Sequence, residues 1–220
     1  MLNANFLYKL MISNSTAYQD LIINNKFLEI IEGLNQNSVV LDIGANIGNI
    51  SNFIFERKQP YIYAFEPNKL CFEILARRFI DYDKVKTFNL AVSNHSGLTK
   101  LYLHKKSTGI SDFNYIESSS LNINKDNVSK TNSVEINVEN ISNIVSKFSN
   151  IDLIKLDVEG SEYEIMPYLI EQRSKIKCVL CELHGDPTKN KNKEFSSSYN
   201  NLLESLKEIN LYNNWFYEWH

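Results

Sequence analysis

The stretch Val39-Val40-Leu41-Asp42-Ile43-Gly44-Ala45-Asn46-Ile47-Gly48-Asn49-Ile50-Ser51 constrains this chain more than any other. Val39 to Ile43 is apolar except for Asp42, the pattern of a strand buried on both faces of a parallel sheet. Gly44 and Gly48 follow at once, and Ile50, Phe53 and Ile54 then recur at i, i+3 and i+4, the spacing of an amphipathic helix. The pattern predicts strand, glycine turn and helix, and therefore an α/β chain. Such a turn lets a ligand approach the backbone with no Cβ in the way. The helix behind it presents free N–H groups and the positive end of its dipole.

The glycine spacing excludes two nucleotide-binding solutions. A dinucleotide fingerprint needs a second close glycine where Asn46 stands, and a P-loop needs a Gly-Lys-Ser/Thr sequence that the chain lacks. The pattern D-x-G-x-x-x-G at 42–48 resembles instead the first motif of class I methyltransferases, which bind S-adenosylmethionine (SAM). SAM has no phosphate; its amino-acid end, ribose and adenine ask for mixed polar contacts.

A second unit, Tyr61 to Phe65, reads as a strand ending at Glu66, with Pro67 unable to continue the ladder. One βα crossover separates Asp42 from Glu66, which places this acid at the carboxyl end of the neighbouring strand, where a carboxylate can accept both ribose hydroxyls. Cys71, Ile74, Leu75 and Phe79 mark the next helix face, and a third strand is expected near Val85 to Val92. Thr99 to His104 alternates as a β segment. Ser107 to Ser133 is polar and aperiodic, the composition of a loop or lid, and Val134, Ile136 and Val138 resume β structure.

Ile151 to Asp157 is a further strand, and Asp157 and Glu159 project from its carboxyl end. Ser161 with Glu164 three residues on is a capping-box pattern, and Pro167 is expected to interrupt the helix that follows. In the strand from Lys177 to Leu183, Cys178 and Cys181 fall on opposite faces, as buried thiols rather than a metal pair. Glu182 and His184, two apart, share one face. A helix carrying Leu202, Leu203, Leu206 and Ile209 and an aromatic strand from Leu211 to His220 close the chain. At the other end, Asn25 to Leu34 is a predicted amphipathic helix. Residues 1–37 are thus expected to form an N-terminal helical extension or cap and residues 38–220 the methyltransferase domain.

Composition narrows the partners. The 220 residues, 43% hydrophobic and 22% charged, describe an ordinary globular domain. A formal charge of −3 argues against nucleic acid as the main partner. No apolar run reaches the ~18 residues of a membrane span. Three cysteines make no disulfide framework, and no leader peptide is evident, so a cytoplasmic setting is expected. The oligomeric state is open, with a dimer among the alternatives.

Together, V-L-D-I-G-A-N-I-G-N at 40–49, A-F-E-P-N at 64–68, N-L-A-V-S-N at 89–94, I-D-L-I-K-L-D-V-E-G-S-E at 151–162 and C-E-L-H at 181–184 resemble the FkbM-type methyltransferases, over roughly residues 38–185. The resemblance implies a class I methyltransferase (Rossmann-like) fold, a doubly wound, mostly parallel seven-stranded sheet with one antiparallel strand. It implies SAM as cofactor and, as acceptor, a hydroxyl on a sugar, glycan or other small natural product. Carried over by position, Asp42, Gly44, Asn46, Gly48 and Asn49 surround the methionine part of SAM, Glu66 holds the ribose with Asn68 nearby, and Ser93 meets the adenine. Asp157, beside the cofactor, and Glu159 flank the reaction centre.

A hydroxyl acceptor must lose its proton, and Asp157, Glu159, Glu182 and His184 are the candidate bases. His184, with an unperturbed pKa near ~6.5, suits the task. The same four groups suit a divalent metal as an alternative, but their spacing does not demand one, so no metal ligand is assigned. Amino methylation of nucleic acid calls for an (Asp/Asn/Ser)-Pro-Pro-(Tyr/Phe) loop, and carbon methylation for a Pro-Cys pair; both are missing. A catalytically silent SAM-binding partner of a biosynthetic complex is the alternative class, with nucleic-acid methylation a weaker one.

Overall fold

The computed structural model describes residues 24–107, 119–189 and 193–219. Most of the expected N-terminal extension or cap and the centre of the expected 107–133 loop lie outside the described residues. The chain runs α1 (Asn25–Glu32), β1 (Val39–Ile43), α2 (Asn49–Lys58), β2 (Tyr61–Phe65), α3 (Lys69–Arg78), β3 (Val85–Phe88), β4 (Ala91–Ser93), β5 (Gly97–His104) and β6 (Val128–Asn140). It continues through α4 (Ile141–Val145), β7 (Leu153–Leu156), α5 (Glu162–Glu171), β8 (Val179–Glu182), α6 (Ser196–Glu208) and β9 (Phe216–Trp219).

The main sheet is doubly wound and parallel, in the order β3-β2-β1-β7-β8-β9. From β1 the chain steps outward to β3, then returns to lie beside β1 as β7 and steps outward the other way. The winding reverses between β1 and β7, and ligands of such sheets bind outside the strand ends at that point. Side-chain alternation along each strand feeds two cores. Val40, Ile62, Leu153 and Leu180 face α1–α3, packing on Phe27, Ile31, Phe53 and Leu75. Leu41, Ile154, Leu156 and Val179 face the other way, onto Ile165, Met166 and Leu169 of α5 and Leu202 and Leu206 of α6. Cys178 and Cys181 fall in opposite cores as buried thiols, as the strand period requires.

The predicted fold class holds, with local differences. Among the described residues the main sheet has six strands, all parallel, rather than seven with one reversed. The α6 crossover returns β9 in the same direction as β8, pairing Val179 with Phe216 and Glu182 with Trp219; a helical crossover preserves direction where a hairpin would reverse it. The antiparallel pairing lies in a second sheet, β4-β6-β5, between β5 and β6. The expected single strand over Val85 to Val92 is two. It breaks at Asn89, whose side-chain amide donates to the carbonyls of Glu66 (2.9 Å) and Pro67 (3.1 Å), and β4 joins the second sheet beside Val138. The polar stretch after Ser107 is not all loop, since β6 begins at Val128.

Pro167 does not interrupt α5, which runs from Glu162 to Glu171. Pro167, sixth of the ten residues, forfeits one interior backbone bond, while Ile165, Met166 and Leu169, fully buried, hold the helix to the sheet. The capping box does not form either. Ser161 makes no side-chain cap, and Glu164 accepts instead from the Ser93 hydroxyl at 2.8 Å.

Candidate active site

A cleft opens at the carboxyl ends of β1, β2, β7 and β8, roofed by Leu101 of β5 and by residues 119–121 ahead of β6. The glycine turn forms its floor. Gly44 (φ +80°) crosses so near the adjacent strand that a Cβ there would lie 1.7 Å from the Asp157 carbonyl oxygen. Two successive amides, Gly44 and Ala45, donate to the Phe65 carbonyl at 3.0 and 2.9 Å, tying the turn to the end of β2. Asn46 (φ 51°) then turns its N–H onto Glu66 Oε2 at 2.8 Å, while Glu66 Oε1 accepts from the Asn68 N–H at 2.7 Å. Glu66 is thereby clamped at the cleft wall. Burial pushes its pKa up to about 7, against the two amides and Lys155, which lower it.

The other cofactor candidates divide. Asn46, Asn49, Asn68 and Asp157 line the cleft with Gly44 and Glu66. The Asn49 side-chain oxygen accepts from Arg78 at 2.9 Å, and that of Asn68 caps α3, accepting from the Leu70 N–H at 2.9 Å. Asp42 lies beneath the floor, fully buried, accepting from Ser51 Oγ at 2.6 Å. Gly48 is outside the lining; a Cβ there would meet Leu75 at 2.6 Å and Phe79 at 2.8 Å, so it lets α2 pack on α3. Ser93 is fully buried against Glu164, and Leu90, Ala91 and Val92 line the cleft in its stead.

Lys155, which pattern reading passed over, joins these parts. Buried in the middle of β7, its ammonium donates to the Gly44 carbonyl at 2.6 Å and lies 3.4 Å from Asp42 and 3.5 Å from Asp157. Burial alone would lower its pKa, but the two carboxylates raise it above the ordinary value. A lysine between Ile154 and Leu156, in the buried strand Leu153 to Leu156, was the available signal, because a buried ammonium needs carboxylates around it.

The four base candidates gather across the cleft from Glu66. Asp157, Glu159 and Glu182 line it; His184 does not. His184 Nε2 is 3.1 Å from Glu159 and Nδ1 3.0 Å from Glu162. Glu162 is a second residue that sequence reasoning missed. It is fully buried and also accepts from the amides of Val158 (3.1 Å) and Gly160 (2.9 Å), fixing the turn between β7 and α5. Burial would raise the Glu162 pKa and lower that of His184; their mutual attraction reverses both, lowering the first and raising the second. Glu182 behaves otherwise: burial and then the charge of Asp157 push it up to about 7. A third missed residue, Lys125, buries its ammonium on the Glu159 carboxylate. Glu159 itself sits in the left-handed region (φ 57°), its carbonyl accepting from Ser120 Oγ at 2.6 Å.

The donor set suits SAM. A ribose needs an acceptor with lone pairs to spare, which Glu66 retains after taking two amides. A flat apolar ring finds Leu90, Val92 and Leu101, and a sulfonium finds a wall rich in carboxylates. Among the described residues no helix is long and apolar enough to cross a membrane.

No curated protein sequence matches the chain significantly. Among solved structures, Pyrococcus horikoshii TYW2 in complex with MeSAdo aligns at 20% identity over 29% of this chain and 25% of that one, with a TM-score of 0.27. An rRNA methylase from Streptococcus thermophilus aligns at 20% identity over 28% and 35%, TM-score 0.26. A SAM-dependent methyltransferase from Aquifex aeolicus aligns at 16% identity over 46% and 53%, TM-score 0.31. The chain thus spans between a quarter and about half of the length of these structures, and likenesses this low carry no functional weight. The family model is different in kind. The methyltransferase FkbM domain matches residues 42–212, from the aspartate under the glycine turn to the approach to β9, and the chain belongs to that family.

Proposed function

We propose that the protein transfers a methyl group from SAM to a hydroxyl of a sugar, glycan or other small natural product. The observation that carries this is the Glu66 carboxylate, clamped by the Asn46 and Asn68 amides beside the Gly44 turn at the reversal of the sheet. When bound, SAM supplies an activated methyl on a sulfonium that becomes neutral as the methyl leaves. The protein's part is alignment, which can contribute about 7–11 kcal/mol. Glu66 holds the ribose hydroxyls. The backbone of Gly44 to Asn46, braced from below by Asp42 and Lys155, borders the amino-acid end, with Asn49 beside it. Asp157 and Glu182 hold the proton that the acceptor gives up; Glu182, near 7, is poised to take it at neutral pH. His184, set back from the cleft between Glu159 and Glu162, orients Glu159. Residues 38–220 form the transfer domain, onto whose sheet α1 packs through Phe27 and Ile31.

A cleft walled by carboxylates in a chain of net charge −3 favours an uncharged acceptor over nucleic acid. Calorimetric titration of SAM and S-adenosylhomocysteine tests the reading. Charge-assisted hydrogen bonds are worth about 1.5–3 kcal/mol each, so Glu66→Ala weakens binding at least ~10-fold. A folded wild-type protein that binds neither ligand would overturn it.

A further inference from the structure

Asp157, Glu159 and His184 bring one ligand atom each to within 4.8 Å of one another. Three such donors ordinarily call for a cation, and three protein ligands with one open position is the form of many catalytic divalent sites. His184 even carries the outer carboxylate that metal-bound histidines usually carry, Glu162 at 3.0 Å. A positive group is already there. Lys125 leaves the turns before β6 and buries its side chain, 1% exposed, with the ammonium on Glu159. Burial pushes its pKa down to about 8, against the charges of Glu162, Asp157, Glu182 and Glu194, which favour the ammonium, while Lys125 and the His184 ring disfavour each other's positive charge.

We propose that the Lys125 ammonium is the resident cation of this cluster, so that a lysine, not a divalent metal, sets Glu159 and His184 at the transfer site. The groups form a line of contacts, Lys125 to Glu159 to His184 to Glu162, in which each carboxylate meets a nitrogen donor and Glu159 meets the ammonium. A divalent ion would have to expel Lys125 or share a buried space with it, and an ammonium left without its carboxylate in such a place is costly. An ammonium offers three hydrogen bonds and one positive charge, enough to hold carboxylates in place, but no Lewis acidity. Lys125 is therefore a positioning residue acting through Glu159.

The backbone delivers Lys125 to this position and keeps it there. Ser120 donates to the Glu159 carbonyl at 2.6 Å, and the Asp126 N–H donates to Glu194 at 3.0 Å, so the segment bearing Lys125 is pinned on both sides of it. Residues 119–121 of the same segment line the cleft. The roof of the cleft and its cation are one piece of chain.

The use of the cluster rests on the transferase reading; the cation assignment rests on the contacts alone. Manganese binding to the full-length protein, followed by electron paramagnetic resonance without any acceptor, separates the two. Wild type and Lys125→Arg show no stoichiometric Mn²⁺ site. Lys125→Met, checked for folding by circular dichroism, gains one, and adding Glu159→Gln abolishes it. A stoichiometric Mn²⁺ site in the wild type, lost in Glu159→Gln, overturns the proposal even where Lys125→Met does not fold; a folded Lys125→Met that gains no Mn²⁺ site overturns it as well. SAM titration of the same wild-type sample reports on the transferase reading independently.

Discussion

Glu66 lines the cleft at the end of β2, between the Asn46 and Asn68 amides. Its two oxygens each take a backbone amide, an arrangement that by itself would lower a carboxylate's pKa, yet burial outweighs both and leaves the group near 7. An acid whose folded pKa is raised adds stability while protonated, at low pH, and that contribution is lost as pH rises through about 7. Ligand binding runs in the opposite direction. The ionised carboxylate is the better acceptor for ribose hydroxyls and the better neighbour for a sulfonium. SAM affinity therefore rises between pH 6 and pH 8 in the wild type, and that rise is flattened in Glu66→Gln; calorimetry at ~3 pH values across this range measures it. A wild-type affinity independent of pH would show that Glu66 does not face the cofactor.

The elements around the site owe their positions to packing more than to local signals. Helix α1 begins as its sequence suggests, with the Asn24 side chain accepting from the Lys26 and Phe27 amides at 3.0 and 3.1 Å. Its place is decided by Phe27 and Ile31, both fully buried, the Phe27 ring 5.5 Å from that of Phe53. Phe27→Ala should then cost about 3–5 kcal/mol, read as a lower midpoint in urea unfolding. A change under about 1 kcal/mol would mean that α1 is an appendage and not part of the core. Helix α5 teaches the same point. Its predicted cap does not form and its proline does not stop it, because the buried Glu162 ties down the preceding turn and three buried side chains hold the helix to the sheet.

At the scale of the molecule, the decisive fact is where the winding reverses. Two strands far apart in sequence, β1 and β7, end side by side, and the glycine turn of one passes under the carbonyl of the other. Gly44→Ala tests this junction: the added Cβ meets the Asp157 carbonyl, and φ +80° strains any L side chain, a penalty of about 1–3 kcal/mol for the backbone alone. Lower thermal stability together with loss of SAM binding is the expected outcome; a variant as stable as wild type would contradict the close approach. Strands β1, β2, β7 and β8, the glycine turn, Glu66 at the end of β2 and the acids after β7 were legible in the chain, because alternation, helical period and turn chemistry act between neighbours in sequence. The split of residues 85–92 between two sheets, the burial of Ser93 away from the cleft, the parallel setting of β9 and the cations that balance the acids were not. Lys155 reaches Gly44 across 111 positions and Lys125 reaches Glu159 across 34. A hydrogen bond or ion pair between such residues is set by how strands and crossovers stack in space, and no period or local motif encodes it.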